Sequence, residues 1–229
     1  VATERPKDIT IRGRLSWPKF TMPEAIAFNN SSRFPKPADK VRPSFQLLLD
    51  DVQQDKLITY LKDEFLPWTI EQDKAGEKSG LTAAQVKKLT KVLDAAEWDV
   101  DAVLGLIKPV HEKTADLAPE SVSSLSVNGM PGRDIVRKAV VRSEDQLANP
   151  TDDVIVPARG LILPVEDTTL ELYPGSYCAA QLNLFAFTAA GNPGITASTG
   201  TIIFVGEADR FGGGGSVVDE DDLFMSIGD

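Results

Sequence analysis

Histidine and cysteine are almost missing from this chain of 229 residues, with one of each, His111 and Cys178. A lone cysteine excludes an internal disulfide. Cys–His catalysis would need the two residues side by side, but His111 follows Pro109 at the end of a helical pattern and Cys178 lies on a strand's apolar face. The glycine run 212–215 lacks a following Gly-Lys-Ser/Thr and opens no helix, so it is not a nucleotide-binding loop. The acids at 219–222 sit on a flexible terminus, which is poorly preorganised for a cation. No apolar run is long enough to cross a bilayer, and residues 1–7 lack the apolar core of a signal peptide. The expectation is a cytoplasmic protein that is not an enzyme, with no cofactor, no metal and no membrane partner.

Charge is plentiful but unevenly placed. The net charge is −10, which by itself argues against a polyanionic ligand. Residues 1–49, however, hold nine Lys and Arg against four Asp and Glu, whereas the last thirteen residues hold five acids and no base. A basic N-terminal part and an acidic terminus in one chain suggest an anion-binding site together with its own competitor. The plain alternative is an acidic surface that aids solubility.

Residues 8–17 alternate with period two, which is the pattern of a half-buried strand. Ile9, Ile11, Leu15 and Trp17 share the apolar face, while Arg12 and Arg14 share the other. Pro18 and Pro23 mark its end. Residues 29–43 read as an extended basic loop with Arg33, Lys36, Lys40 and Arg42. Residues 44–49 form a second strand. From 50 to about 116 the spacing becomes helical: Val52, Leu57, Ile58, Leu61 and Phe65, then Val86, Leu89, Val92 and Leu93, then Val100, Val103, Leu104 and Ile107. Thr82 with Gln85 fits a capping box, and Asp99 is placed to cap the third helix. This stretch reads as a helical insertion. Strands resume at 135–141, 154–163, 176–188 and 201–206, with a turn at 191–194.

The strand at 176–188 is the most informative. Cys178, Ala180, Leu182, Leu184 and Ala186 suit a barrel core. The other face carries Tyr177, Gln181, Asn183, Phe185 and Phe187. Rings offer stacking surface to any base without reading its identity, and the amides can bond base edges or sugars. The same face is equally suited to packing under the helical insertion. Basic and aromatic residues also interleave near the N-terminus: Arg12, Arg14, Trp17, Lys19, Phe20, Arg33, Phe34, Lys36 and Arg42. That mixture suits a groove holding phosphates on cations and bases on rings, although Trp17 by its parity is expected in the core. Arg137, Lys138 and Arg142 form a smaller basic patch. Arg210 and Phe211 precede the glycines and are placed to reach the groove. After the linker, 217–229 carries Asp219, Glu220, Asp221 and Asp222 beside Phe224. Acids on a tether can mimic phosphates, and an apolar neighbour gives a partner something to bury.

The segments Arg14-Leu15-Ser16-Trp17, Tyr173-Pro174-Gly175-Ser176-Tyr177-Cys178-Ala179-Ala180, Phe185-Ala186-Phe187 and Gly206-Glu207-Ala208-Asp209-Arg210-Phe211-Gly212-Gly213-Gly214 resemble phage single-stranded-DNA-binding proteins with an OB-type barrel. The resemblance spans roughly 8–49 and 130–229. It implies coating of unpaired DNA during phage replication and recombination in the host cytoplasm. The implied partners are single-stranded DNA, a phage DNA polymerase or other replication protein through the tail, and a second copy in a homodimer. Two features depart from the family: Phe224 is not the last residue, and the insertion is long. The expected fold is mainly β with a helical insertion (α+β), an OB-type five-stranded barrel over 1–216 and a flexible acidic tail over 217–229. The competing reading is a phage virion or scaffold protein that does not bind DNA.

Overall fold

The computed structural model describes residues 4–74, 81–107, 118–141, 161–189 and 192–211. The expected tail, the residues His111 and Arg142, and positions 154–160 of one expected strand lie outside these. Five strands close a ring. β1 (Ile9–Lys19) pairs antiparallel with β2 (Ser44–Leu49), and β2 with β3 (Ser123–Asn128). β3 runs parallel to β7 (Asn192–Ser198), which pairs antiparallel with β6 (Tyr177–Ala189). β6 then returns to β1 in register Ile9↔Leu182 through Arg14↔Tyr177. A closed five-stranded barrel with this order is OB-type, as expected from the sequence. Its sheet continues from β6 through β8 (Thr201–Gly206) and β4 (Val136–Val141) to β5 (Leu161–Pro164).

Period two sets the barrel interior. Ile11, Leu15, Leu47, Leu125, Leu182 and Ala197 are all but sealed from solvent. Cys178 lies among them, and burial pushes its thiol up to about 12, so it stays protonated and unreactive at neutral pH.

The expected insertion is present between β2 and β3. It comprises α2 (Asp51–Tyr60), a π-helical turn (Leu61–Phe65), α3 (Leu66–Lys74), α4 (Ala83–Ala95) and α5 (Val100–Leu104). Asp50 and Asp99 cap their helices, and Thr82 with Gln85 forms the anticipated capping box. Leu57, Leu61, Phe65, Leu89, Leu93 and Val103 join the barrel's own core. Val52 and Val92 instead face solvent.

Two strands and one helix have no counterpart in the sequence reading. β3 alternates only two apolar side chains, Leu125 and Val127, with serines and an asparagine. β7 starts Asn192-Pro193-Gly194, read above as a turn; the structure places these three in the strand, with Ala189 paired to Asn192. The helix α1 (Met22–Asn30) begins inside what was read as a break, because Pro23 sits in its first turn, where no N–H is needed.

Candidate nucleic-acid interface

The groove begins with an irregularity in β1. Ser16 pairs with Gln46 and Lys19 with Ser44, so three steps along β1 match two along β2. The extra residue is a bulge. Trp17 occupies it with a left-handed backbone, φ +48°, an uncommon conformation for a bulky residue ahead of proline. The bulge corrects two expectations. β1 passes through Pro18 rather than ending there, and Trp17 is turned out of the core to 57% exposure.

Beside it stand Lys19 and α1. Thr21 and Glu24 form a capping box that fixes the start of α1 and thereby places Phe28. Lys19 Nζ sits 3.8 Å from the Phe28 ring centroid and donates to the Trp17 carbonyl at 3.3 Å. Partial burial lowers the Lys19 pKa from its ordinary value. Lys36 joins this wall through Asn29, whose side chain bonds both the N–H and the carbonyl of Lys36, at 2.8 and 3.0 Å.

Ser44, Gln46, Ser126, Asn128 and Thr196 form the floor across β2, β3 and β7. Asn128 Nδ2 donates to Thr196 Oγ1 at 3.2 Å, and that hydroxyl donates to the Ser126 carbonyl at 3.0 Å. The far wall is Phe185 and Phe187 on β6. Phe187 lies over Gly194 of the paired strand, where a Cβ would come within 2.8 Å of the ring, so glycine is needed beneath it. The whole is an open groove of about 760 Å³. No described residue of the helical insertion lines it, and Phe185 is 38% exposed. Of the two readings of this face, the open one holds for Phe185.

The structure therefore brings Trp17, Lys19, Lys36, Phe185 and Phe187 together. Arg33 and Phe34 lie nearby in sequence, on the loop after α1, with Arg33 over the Phe34 ring at 5.4 Å and Phe34 80% exposed. Arg42 begins the approach to β2 and donates to the carbonyls of Asp39 and Val41 at 2.6 and 2.8 Å.

Other expected site residues are placed elsewhere. Arg14 is buried: its guanidinium donates to the carbonyls of Gly175 and Asp209 and to Glu120, between the rings of Tyr177 and Phe211. It joins β1 to the segment after β8, with three N–H donors committed there and the side chain sealed from solvent. Tyr177 and Phe211 belong to the same cluster, and Phe211 also packs with Leu48 and Ala118. Phe20 is core, 6.1 Å from the Phe45 ring. Arg12 lies under α2, where its backbone N–H donates to Gln53 at 3.0 Å and burial lowers its pKa. Asn183 is engaged by Arg5 at 2.6 Å and Asp8 at 3.3 Å. Gln181 is exposed outside the groove lining, and Arg210 stacks over Tyr173 at 4.2 Å. Sequence reasoning missed Phe28, Gln46, Ser126, Asn128 and Thr196. The Thr21-x-x-Glu24 cap was the available signal for the helix that carries Phe28.

Barrel and groove define an OB-type module, a class whose corresponding face takes oligonucleotides or oligosaccharides. Within that class the resemblance to phage single-stranded-DNA-binding proteins is borne out: residues 138–226 match the family model described as "Enterobacter phage Enc34, ssDNA-binding protein". Among solved structures, the chain is similar to the single-stranded DNA-binding protein from bacteriophage Enc34 at 12% identity, covering 98% of each chain with a TM-score of 0.44. The same protein in complex with ssDNA gives 10% identity, coverage of 93% and 98%, and a TM-score of 0.43. Gp2.5, a single-stranded DNA binding protein encoded by bacteriophage T7, gives 9%, 91% and 97%, and 0.41. None of the curated proteins matches this chain.

Proposed function

We propose that this chain is a phage single-stranded-DNA-binding protein and that the unpaired strand lies in the groove between Trp17 and Phe185. The observation that carries the reading is the pair of exposed aromatic walls, with Lys19 and Lys36, around a polar floor. Each base stacked on a ring contributes about 1–3 kcal/mol whatever its identity. The lysines neutralise phosphates and release counterions. Binding is thus independent of sequence and suits a protein that coats and protects DNA in replication and recombination. The family match over 138–226 supports the same reading.

The net charge of −10 does not oppose it. At physiological salt the screening length is about 8 Å, so cations lining the groove outweigh distant acids. The domain extends over 1–216. The tail, 217–229, competes with DNA through Asp219, Glu220, Asp221 and Asp222. Once displaced, it recruits a phage DNA polymerase or another replication protein through Phe224, in the host cytoplasm.

The test is fluorescence anisotropy of a labelled oligothymidylate over a salt series. The expected result is a linear fall of log affinity with log salt, with a slope of about −0.7 per phosphate neutralised. No binding in dilute buffer, with concentration-dependent assembly in light scattering, would favour the virion or scaffold reading.

A further inference from the structure

The groove does not stop at its own floor. Lys19, Ser44, Asn128 and Ser198 form one row across β1, β2, β3 and β7. One residue further on, the segment between β3 and β4 is sewn to the end of that row. Gly129 N–H donates to the Pro43 carbonyl at 2.7 Å, and Thr199 N–H to the Asn128 carbonyl at 3.0 Å. Ile135 N–H donates to the Phe20 carbonyl at 2.8 Å, and Val136 N–H to Gly200 at 2.9 Å. Between these anchors the chain makes a tight turn, with Arg133 N–H donating to the Met130 carbonyl at 3.3 Å.

This turn holds three solvent-facing side chains, Met130 at 46% exposure, Pro131 and Arg133. Among the described residues, no hydrogen bond or ion pair holds the Arg133 guanidinium. Two acids, Asp134 and Glu24, hold the start of α1. Asp134 accepts from the Met22 N–H at 2.7 Å, and Glu24 accepts from the Phe20 and Thr21 N–H groups at 2.7 and 3.0 Å, all at the start of α1. Arg42 adjoins Pro43 on the other side of the same end.

We infer that the 130–133 turn is a second subsite for the phosphodiester backbone of unpaired DNA, with Arg133 on a phosphate and Met130 against the adjoining sugar or base. The inference rests on the groove reading and adds to it a length. A strand that fills only the groove leaves Arg133 untouched, whereas a longer strand runs off the Asn128 end and over the turn. Anchored backbone leaves only the arginine side chain to be ordered on binding, and a thioether side chain packs on irregular apolar surfaces. The site thereby grows beyond the stacking walls without further aromatics.

The test compares oligothymidylates across roughly 4 to 16 nucleotides, the range of site sizes for one OB barrel, on the full chain and on Arg133→Ala, Arg133→Lys and Trp17→Ala. Expected is a length threshold. Below it Arg133→Ala binds as the unaltered chain does. Above it Arg133→Ala binds several-fold more weakly, its salt slope is reduced by about 0.7, and Arg133→Lys recovers most of the loss. Trp17→Ala weakens binding at every length. If Trp17→Ala behaves so but Arg133→Ala matches the unaltered chain at all lengths, the turn is not a subsite and the groove stands alone. Equal loss at all lengths would also overturn the inference. If no oligothymidylate binds the unaltered chain, the groove reading fails and takes the turn with it.

Discussion

Trp17 and Arg14 lie three residues apart on one strand and meet opposite fates. Arg14 was expected on a polar face and is buried, with its guanidinium committed to Gly175, Asp209 and Glu120. Trp17 was expected in the core and is exposed. Removing each has a distinct signature. Trp17→Ala and Phe185→Ala are expected to weaken binding of unpaired DNA by about 1–3 kcal/mol each with melting temperatures close to the unaltered chain. Anisotropy and thermal melts on the same samples check this, and a collapse of the melt would show that the rings hold the barrel together. Arg14→Ala is expected to cost about 3 kcal/mol of stability, because Glu120 and two carbonyls lose a shared, largely buried partner. The salt slope of binding in the variant should be unchanged. A slope reduced by one phosphate, with stability intact, would return Arg14 to the DNA path.

At the scale of elements, α1 is the part on which the groove most depends. It is nine residues long and buries only Ala25, so its own packing contributes little and its capping box matters more. Thr21→Ala is expected to cost about 1 kcal/mol and to weaken DNA binding as well, since the helix carries Phe28 and Asn29 holds Lys36. Unaltered affinity despite a lowered melting temperature would detach α1 from the site. The elements that escaped the sequence reading share one physical cause. Among the described residues, β3 buries only two apolar side chains, Leu125 and Val127, and β7 only Ile195 and Ala197, among serine, asparagine and threonine, and β7 opens with asparagine, proline and glycine. They are strands because the ring closes through them, not because of local preference. The long strand β6 was legible because five of its buried apolar residues alternate, Cys178, Ala180, Leu182, Leu184 and Ala186, with Ala179 buried besides. The groove was only half legible for the same reason: its aromatic walls stand out, but its polar floor consists of residues common in any loop. A one-residue bulge, invisible to a pattern of period two, decided the fate of Trp17.

Over the whole molecule, a barrel with a local cationic groove sits in a chain of strongly negative charge. The acidic tail is proposed as the groove's competitor, so removing 217–229 is expected to tighten DNA binding several-fold at low salt. The gain should shrink as salt screens the tail's charges, which titrations at two ionic strengths will show. Equal affinity with and without the tail would leave it as a solubilising terminus. The helical insertion shares the barrel's core and meets β7 where the Ile195 N–H donates to the Leu106 carbonyl at 2.7 Å, and none of its described residues lines the groove. It therefore supports the fold while leaving the stacking walls open.

The central claim is that bases stack on Trp17. It is tested most directly by following tryptophan emission while the full chain is titrated with oligothymidylate. The chain has three tryptophans, and Trp68 and Trp98 pack against the insertion's core. Quenching should appear in the unaltered chain and vanish in Trp17→Phe, which still binds. Quenching that persists undiminished in Trp17→Phe, or binding of the unaltered chain without any quenching, would contradict the claim.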